Sequence, residues 1–128
     1  MIKAYTDIPQ SKKLAEILPH ITADDTWEKV VVTGCNLDIP EEQQYVHRDI
    51  PFTYFSGIGV PCWSLAALLD ILPKFYNRYK SEFRLKLVRN EDNKWCCCYE
   101  AKYYTAQCDN PIDACYEFII WLNEQKLL

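Results

Sequence analysis

Glycine is scarce in this chain, three residues in 128, and the composition is 49% hydrophobic and 25% charged. That combination excludes collagen-like, disordered and low-complexity classes and leaves an ordinary globular protein. Long apolar runs are also missing, none approaching the roughly 18 residues a membrane helix needs. The opening Met1-Ile2-Lys3-Ala4-Tyr5 lacks the charged-then-apolar layout of a signal peptide, so the expected place is the cytoplasm, away from any membrane. No internal repeat of solenoid or propeller period is present. Nor is there a P-loop, a Gly-x-Gly-x-x-Gly, a Gly-x-Ser-x-Gly or a His-Glu-x-x-His, so no catalytic residues, no cofactor and no enzyme activity are expected.

Cysteine, by contrast, is plentiful, with seven in the chain. The count is odd, Cys96, Cys97 and Cys98 are consecutive, and no Asn-x-Ser/Thr acceptor accompanies them, which predicts reduced thiols rather than a disulfide framework. Thiolate metal sites usually take ligand pairs from Cys-x-x-Cys turns, and the chain contains none, so no metal is expected. Cys62 reads as a residue in the first turn of a helix, where free amides would lower a thiol pKa. A nucleophile there would need a base, and nothing in the order of residues sets His20 or His47 beside it. The acidic pairs Asp24-Asp25 and Glu41-Glu42 read as solvated loops.

Local signals outline an α+β chain. Asp7 with Gln10 resembles a capping box, and Ser11, Leu14, Ala15 and Leu18 recur at helical spacing up to Pro19, which predicts a helix over 8–18. Glu28 to Thr33 reads as a β-branched strand ending at Gly34, and Pro61 to Leu72 as a helix, apolar on most sides, that Pro73 stops. Strands then follow at Phe83–Val88, Trp95–Tyr99 and Tyr103–Ala106. Phe83, Leu85 and Leu87 share one face with Trp95, Cys97, Tyr99 and Ala101, and Asn90, Asp92 and Asn93 turn the hairpin. Asn110 and Pro111 open a last helix as cap and first residue. The expected architecture is a single domain over 1–128, a mostly antiparallel sheet of three or four strands sandwiched by helices, with the C-terminal order β-β-β-α.

Three surfaces stand out. Between Cys35 and Val60 no clean period appears, and this irregular stretch collects Tyr45, His47, Arg48, Phe52, Tyr54 and Phe55, residue types that carry energy at recognition surfaces. The alternative is that its aromatics cover the core. From Lys74 to Arg89, six basic residues (Lys74, Arg78, Lys80, Arg84, Lys86, Arg89) face Glu82 alone, interleaved with Phe75, Tyr76 and Tyr79. Stacking on single-stranded bases uses such a composition, but the whole chain carries a net charge of −4, which argues against nucleic acid. In the last helix Ile112, Cys115, Ile119 and Leu122 form the core stripe, while Ile120 falls among Asp113, Glu117 and Glu124, so Ile120 and Trp121 are candidates for a homodimer contact.

The motifs Pro61-Cys62-Trp63-Ser64-Leu65-Ala66-Ala67-Leu68-Leu69 and Asp109-Asn110-Pro111-Ile112-Asp113-Ala114-Cys115 resemble a group of small proteins from phages and mobile elements similar to the phage α-β-α sandwich domain. The resemblance spans about two thirds of the chain and implies a sheet covered by helices; it carries no functional residues over. The C-terminal pattern is also similar to HicB-like antitoxins, which adds an RNA-binding or antitoxin-like module to the alternatives. The α-β-β-β-α order of double-stranded-RNA-binding domains is shared too, but Asp109 and Asp113 stand at the helix start that would have to meet phosphate. The expectation is a small non-enzymatic accessory or interaction protein of phage or mobile-element type with a protein partner; a small-molecule-binding protein is the other alternative.

Overall fold

The computed structural model describes residues 3–30, 40–73, 75–78, 81–99, 103–104 and 107–128, as backbone alone at 42, 75–78, 81–83 and 103–104. The chain divides into two compact units, Tyr5–Ala67 and Leu68–Leu128 with Met1–Ala4.

In the first unit helix α1 (Ile8–Ile17) begins at the expected capping box: the Asp7 side chain accepts from Gln10 N at 2.9 Å, and Gln10 Oε1 accepts from Asp7 N at 3.1 Å. Ile8, Ser11 and Leu14 are its buried side, and the helix stops ahead of Pro19. Three antiparallel strands follow, β1 (Asp25–Lys29), β2 (Tyr45–Arg48) and β3 (Gly59–Cys62), in the spatial order β2-β1-β3. The strand expected at 28–33 therefore starts three residues earlier, and its residues 31–33 lie outside those described. The irregular stretch contains β2, with single 3-10 turns at Glu41–Gln44 and Phe52–Tyr54.

Pro61 and Cys62 close a strand instead of opening a helix. Because β3 is an edge strand, a residue without an N–H is tolerated there, opposite Thr26. Gly59 is needed for a different reason: a Cβ there would stand 2.6 Å from the Trp27 carbonyl oxygen. Helix α2 (Leu65–Ile71) begins only after Ser64, whose hydroxyl accepts from Ala67 N at 3.2 Å.

The second unit is a four-stranded antiparallel sheet, β4 (Phe75–Arg78), β5 (Ser81–Arg89), β6 (Trp95–Tyr99) and β7 (Tyr103–Tyr104), in sequential order. Leu85 pairs with Tyr99 and Leu87 with Cys97, the register expected from alternation, and Ala101, Thr105 and Ala106 lie outside the described residues. Asn90 Oδ1 accepts from the amides of Asp92 and Lys94, both at 3.0 Å, and Asn93 takes the left-handed turn position at φ 59°. Strand β4 went unforeseen, since an aromatic and basic segment reads equally as a connection. Helix α3 (Pro111–Glu124) is capped by Asn110, whose side chain accepts from Asp113 N at 2.8 Å. It packs on β6, with Ile112, Cys115, Phe118, Ile119 and Leu122 buried, as are Cys97 and Tyr99 on the strand.

The fold is thus α+β with a helix packed on each sheet; among the described residues the strands are antiparallel and divided between two sheets of three and four. No helix among the described residues is long and apolar enough to cross a membrane.

A candidate site at Asp25, His47 and Cys62

Sheet pairing decides what the first unit places together. Asp25 stands opposite Cys62 and Trp27 opposite His47, and Asp25 and Trp27 are two residues apart on β1. Paired residues share a face and so do residues two apart, so Asp25, Trp27, His47 and Cys62 all lie on one side of the sheet. Asp25 is 6% exposed and Cys62 fully buried, while the His47 side chain keeps 23% of its surface open. One ligand-type atom from each of the three side chains lies within 4.8 Å of the others.

The surroundings hold these groups still. The His47 ring stacks on Tyr5 with centroids 3.7 Å apart and planes 3° from parallel, and Trp27 meets both rings edge-on. Trp27 Nε1 donates to the Thr6 carbonyl at 3.0 Å, and Cys62 Sγ donates to the same oxygen at 3.5 Å. His47 Nε2 lies 3.2 Å from Asp25 Oδ2. Nε2 is a buried nitrogen that makes no hydrogen bond of strict geometry, and its contact with the Asp25 carboxylate is an ion pair when the imidazole is protonated.

Electrostatics oppose simple nucleophilic chemistry. Burial raises the Asp25 carboxyl above its ordinary range, His47 pulls it back, and Asp24 and Asp49 push it up further. Burial also pushes the Cys62 thiol up to about 12, against the help of the Thr6 hydroxyl. Cys62 ends a strand instead of opening a helix, so the first-turn position that would lower its pKa is not the one it holds, and it is a packed core residue. Likewise Asp25 is not a solvated loop residue, and its neighbour Asp24 turns away to accept from the Ser64 amide at 2.9 Å and from the Ser64 hydroxyl.

No family model, no curated protein and no solved structure matches this chain.

The other candidate residues are spread out. On β2 the alternation sends Tyr45 and His47 to one face and Val46 and Arg48 to the other. Tyr45 lies under the Lys12 ammonium at 5.6 Å, and Arg48 pairs with Glu28 at 3.2 Å. Phe52 is half-buried and edge-on to His20, Phe55 is half-buried, and Tyr54 is 82% exposed. Of the basic stretch, Arg84, Lys86 and Arg89 are exposed; Arg84 and Lys86 share a face, whereas Arg89 lies on the other, over the Trp95 ring at 5.9 Å. Lys74 and Lys80 lie outside the described residues, and Arg78 is described in its backbone alone. Ile120 and Trp121 are half-buried, Trp121 stacking on Phe118 with centroids 5.8 Å apart, so Ile120 is less open than its charged neighbours suggested.

Proposed function

We propose that this chain is a small non-catalytic accessory protein of phage or mobile-element type, working in the cytoplasm, that binds a protein partner through the first unit around Phe52, Tyr54 and Phe55. The observation that carries this reading is the exposure of large apolar side chains there: Tyr54 at 82%, Ile58 at 67% and, in the neighbouring 3-10 turn at His20–Thr22, Ile21 at 76%. The two turns meet, because Phe52 N donates to the Ala23 carbonyl at 3.3 Å and the His20 ring touches Phe52. Aromatic and aliphatic groups left in water on turns beside a sheet are the usual material of a recognition surface. The phage and mobile-element element of the reading rests on the sequence motifs, and the compartment on the cysteine pattern. A neutral, buried Cys62 supports the absence of thiol catalysis.

The acidic first unit, with four basic against nine acidic residues, favours a partner that presents an apolar segment with basic flanks. Self-association through Ile120 and Trp121 has less open surface to use. RNA binding would fall to Arg84 and Lys86.

The test compares the parent chain with Tyr54→Asp, each tagged and recovered with cross-linking from an extract of the source cells, with and without ribonuclease. Tyr54→Asp should leave the unfolding free energy within about 0.5 kcal/mol, as exposed substitutions do. A protein held by the parent and released by the variant is the expected result. Retention that disappears with ribonuclease, or is indifferent to Tyr54→Asp, would overturn the assignment.

A further inference from the structure

We propose that Asp25 Oδ2, His47 Nε2 and Cys62 Sγ are the protein ligands of a zinc ion that ties together the three strands of the first unit, its fourth position left to water or an outside donor. Each strand contributes one ligand: Asp25 from β1, His47 from β2 and Cys62 from β3. At zinc bond lengths of about 2.0–2.3 Å, neighbouring ligands of a tetrahedral site stand roughly 3.3–3.6 Å apart. The 3.2 Å between His47 Nε2 and Asp25 Oδ2 is close to that spacing, and one ligand atom from each of the three side chains lies within 4.8 Å of the others, so a bound ion would draw the set together.

A second observation points to a cation independently of the spacing. His47 Nε2 is buried without a hydrogen-bond partner, and it faces a carboxylate and a thiol. A buried nitrogen without a hydrogen bond costs free energy, and in the tautomer that carries its proton on Nδ1 the lone pair of Nε2 is open to a cation. Tyr5 covers one face of the ring and Trp27 meets its edge, which orients the imidazole. One nitrogen, one oxygen and one sulfur ligand form a borderline-soft set that suits zinc; calcium and magnesium take oxygen ligands.

Zinc also resolves the charge pattern. A buried carboxylate with Asp24 and Asp49 near it is expensive in an apolar interior, and a dication reverses the sign of that environment. As the Zn–S bond forms, Cys62 gives up its proton to solvent, so thiolate replaces the buried neutral thiol. The proposal does not depend on the partner surface, and each can fail alone.

The reduced full chain, cleared of metal by a chelator, is titrated with Co2+ as a spectroscopic substitute for Zn2+. One cobalt per chain is expected, with near-ultraviolet sulfur-to-cobalt absorption and visible bands of tetrahedral strength, all abolished by an equal amount of Zn2+. No such absorption at about tenfold excess of Co2+ would overturn the proposal. Because the chain has seven cysteines, Cys62→Ser distinguishes this site: loss of the sulfur band is expected, and its persistence assigns the metal elsewhere and overturns the site. His47→Gln repeats the test at a less buried ligand, with circular dichroism to verify the fold. Its cobalt affinity should fall more than about a hundredfold, since even outer-shell changes cost roughly 10–100-fold. Unchanged affinity in folded His47→Gln would refute the assignment.

Discussion

Thr6 is fully buried, and both of its oxygens are in use. Its hydroxyl bonds with the Ser11 hydroxyl at 2.7 Å and accepts from Trp63 N at 3.2 Å, while its carbonyl accepts from Trp27 Nε1. Thr6→Val keeps the shape and deletes the hydroxyl, leaving the Trp63 amide without its partner and the Ser11 hydroxyl with the Thr6 carbonyl at 3.4 Å. An orphaned buried group costs about 1–3 kcal/mol, and a loss in that range is expected, read as a lower urea midpoint at unchanged slope. An unshifted midpoint would mean that the hydroxyl network adds nothing. This role was invisible in the sequence, because Thr6 precedes the helix signal and its partners lie 5 and 57 residues away. A Thr in an N-terminal connection has no periodicity to betray it.

Among the elements, the helix starts are where side chain and backbone agree most locally. Asn110 accepts from the Asp113 amide, donates to the Asp113 carboxylate at 2.8 Å, and precedes a Pro at the first helical position. Asn110→Ala should cost about 1 kcal/mol of stability, the usual loss for an N-cap, and Asn110→Gly only a few tenths. Equal losses in the two variants would show that Asn110 matters through packing and not as a cap. The strands behave differently. The β5–β6 register was legible, since a short turn joins two alternating runs. Strands β2 and β3 and the pairing of β1 were not, although a strand overlapping β1 at Glu28 and Lys29 was expected: β1 pairs with residues about twenty and thirty-five positions away, and neither Asp25-Thr26 nor Tyr45–Arg48 has a strongly β-branched pattern. Burial and a neighbour's free edge made them strands, overriding weak propensity.

At the level of the whole molecule, several groups hold their protons more tightly in the fold than in the unfolded chain. Burial raises Cys62 and Tyr99, each to about 12, and raises Cys108 as well; Cys97 is raised first by its contact with Cys115 and then by burial. A group whose folded pKa is raised adds stability that is complete below its unfolded pKa and is lost as pH climbs toward the folded value. The window for the thiols therefore opens near the ordinary cysteine pKa of about 8.5 and extends to about 12. Chelator-treated protein should show a steady unfolding free energy near neutrality and a fall above about pH 9, by up to ~1.4 kcal/mol per pH unit for each such group, read from denaturant midpoints at unchanged slope. Replacing Cys62 by Ala should make that fall shallower. A midpoint that stays flat to about pH 11 would contradict the raised thiols.

What the residue order determined by itself was everything that operates over a few positions: the helix starts at Asp7 and Asn110, the stop at Pro19, the turn at Asn90 to Asn93, and the α+β class. These are contests between a side chain and the backbone beside it, and they need no distant partner. Only the tertiary structure decided that Pro61 and Cys62 belong to a strand and that Asp25, His47 and Cys62 meet on one face of it. The ligands are separated by 22 and 15 residues, and a pairing register one residue different would send His47 to the opposite side of the sheet. Register across distant strands is set by which faces can be buried together, a property of the whole unit that no spacing along the chain contains.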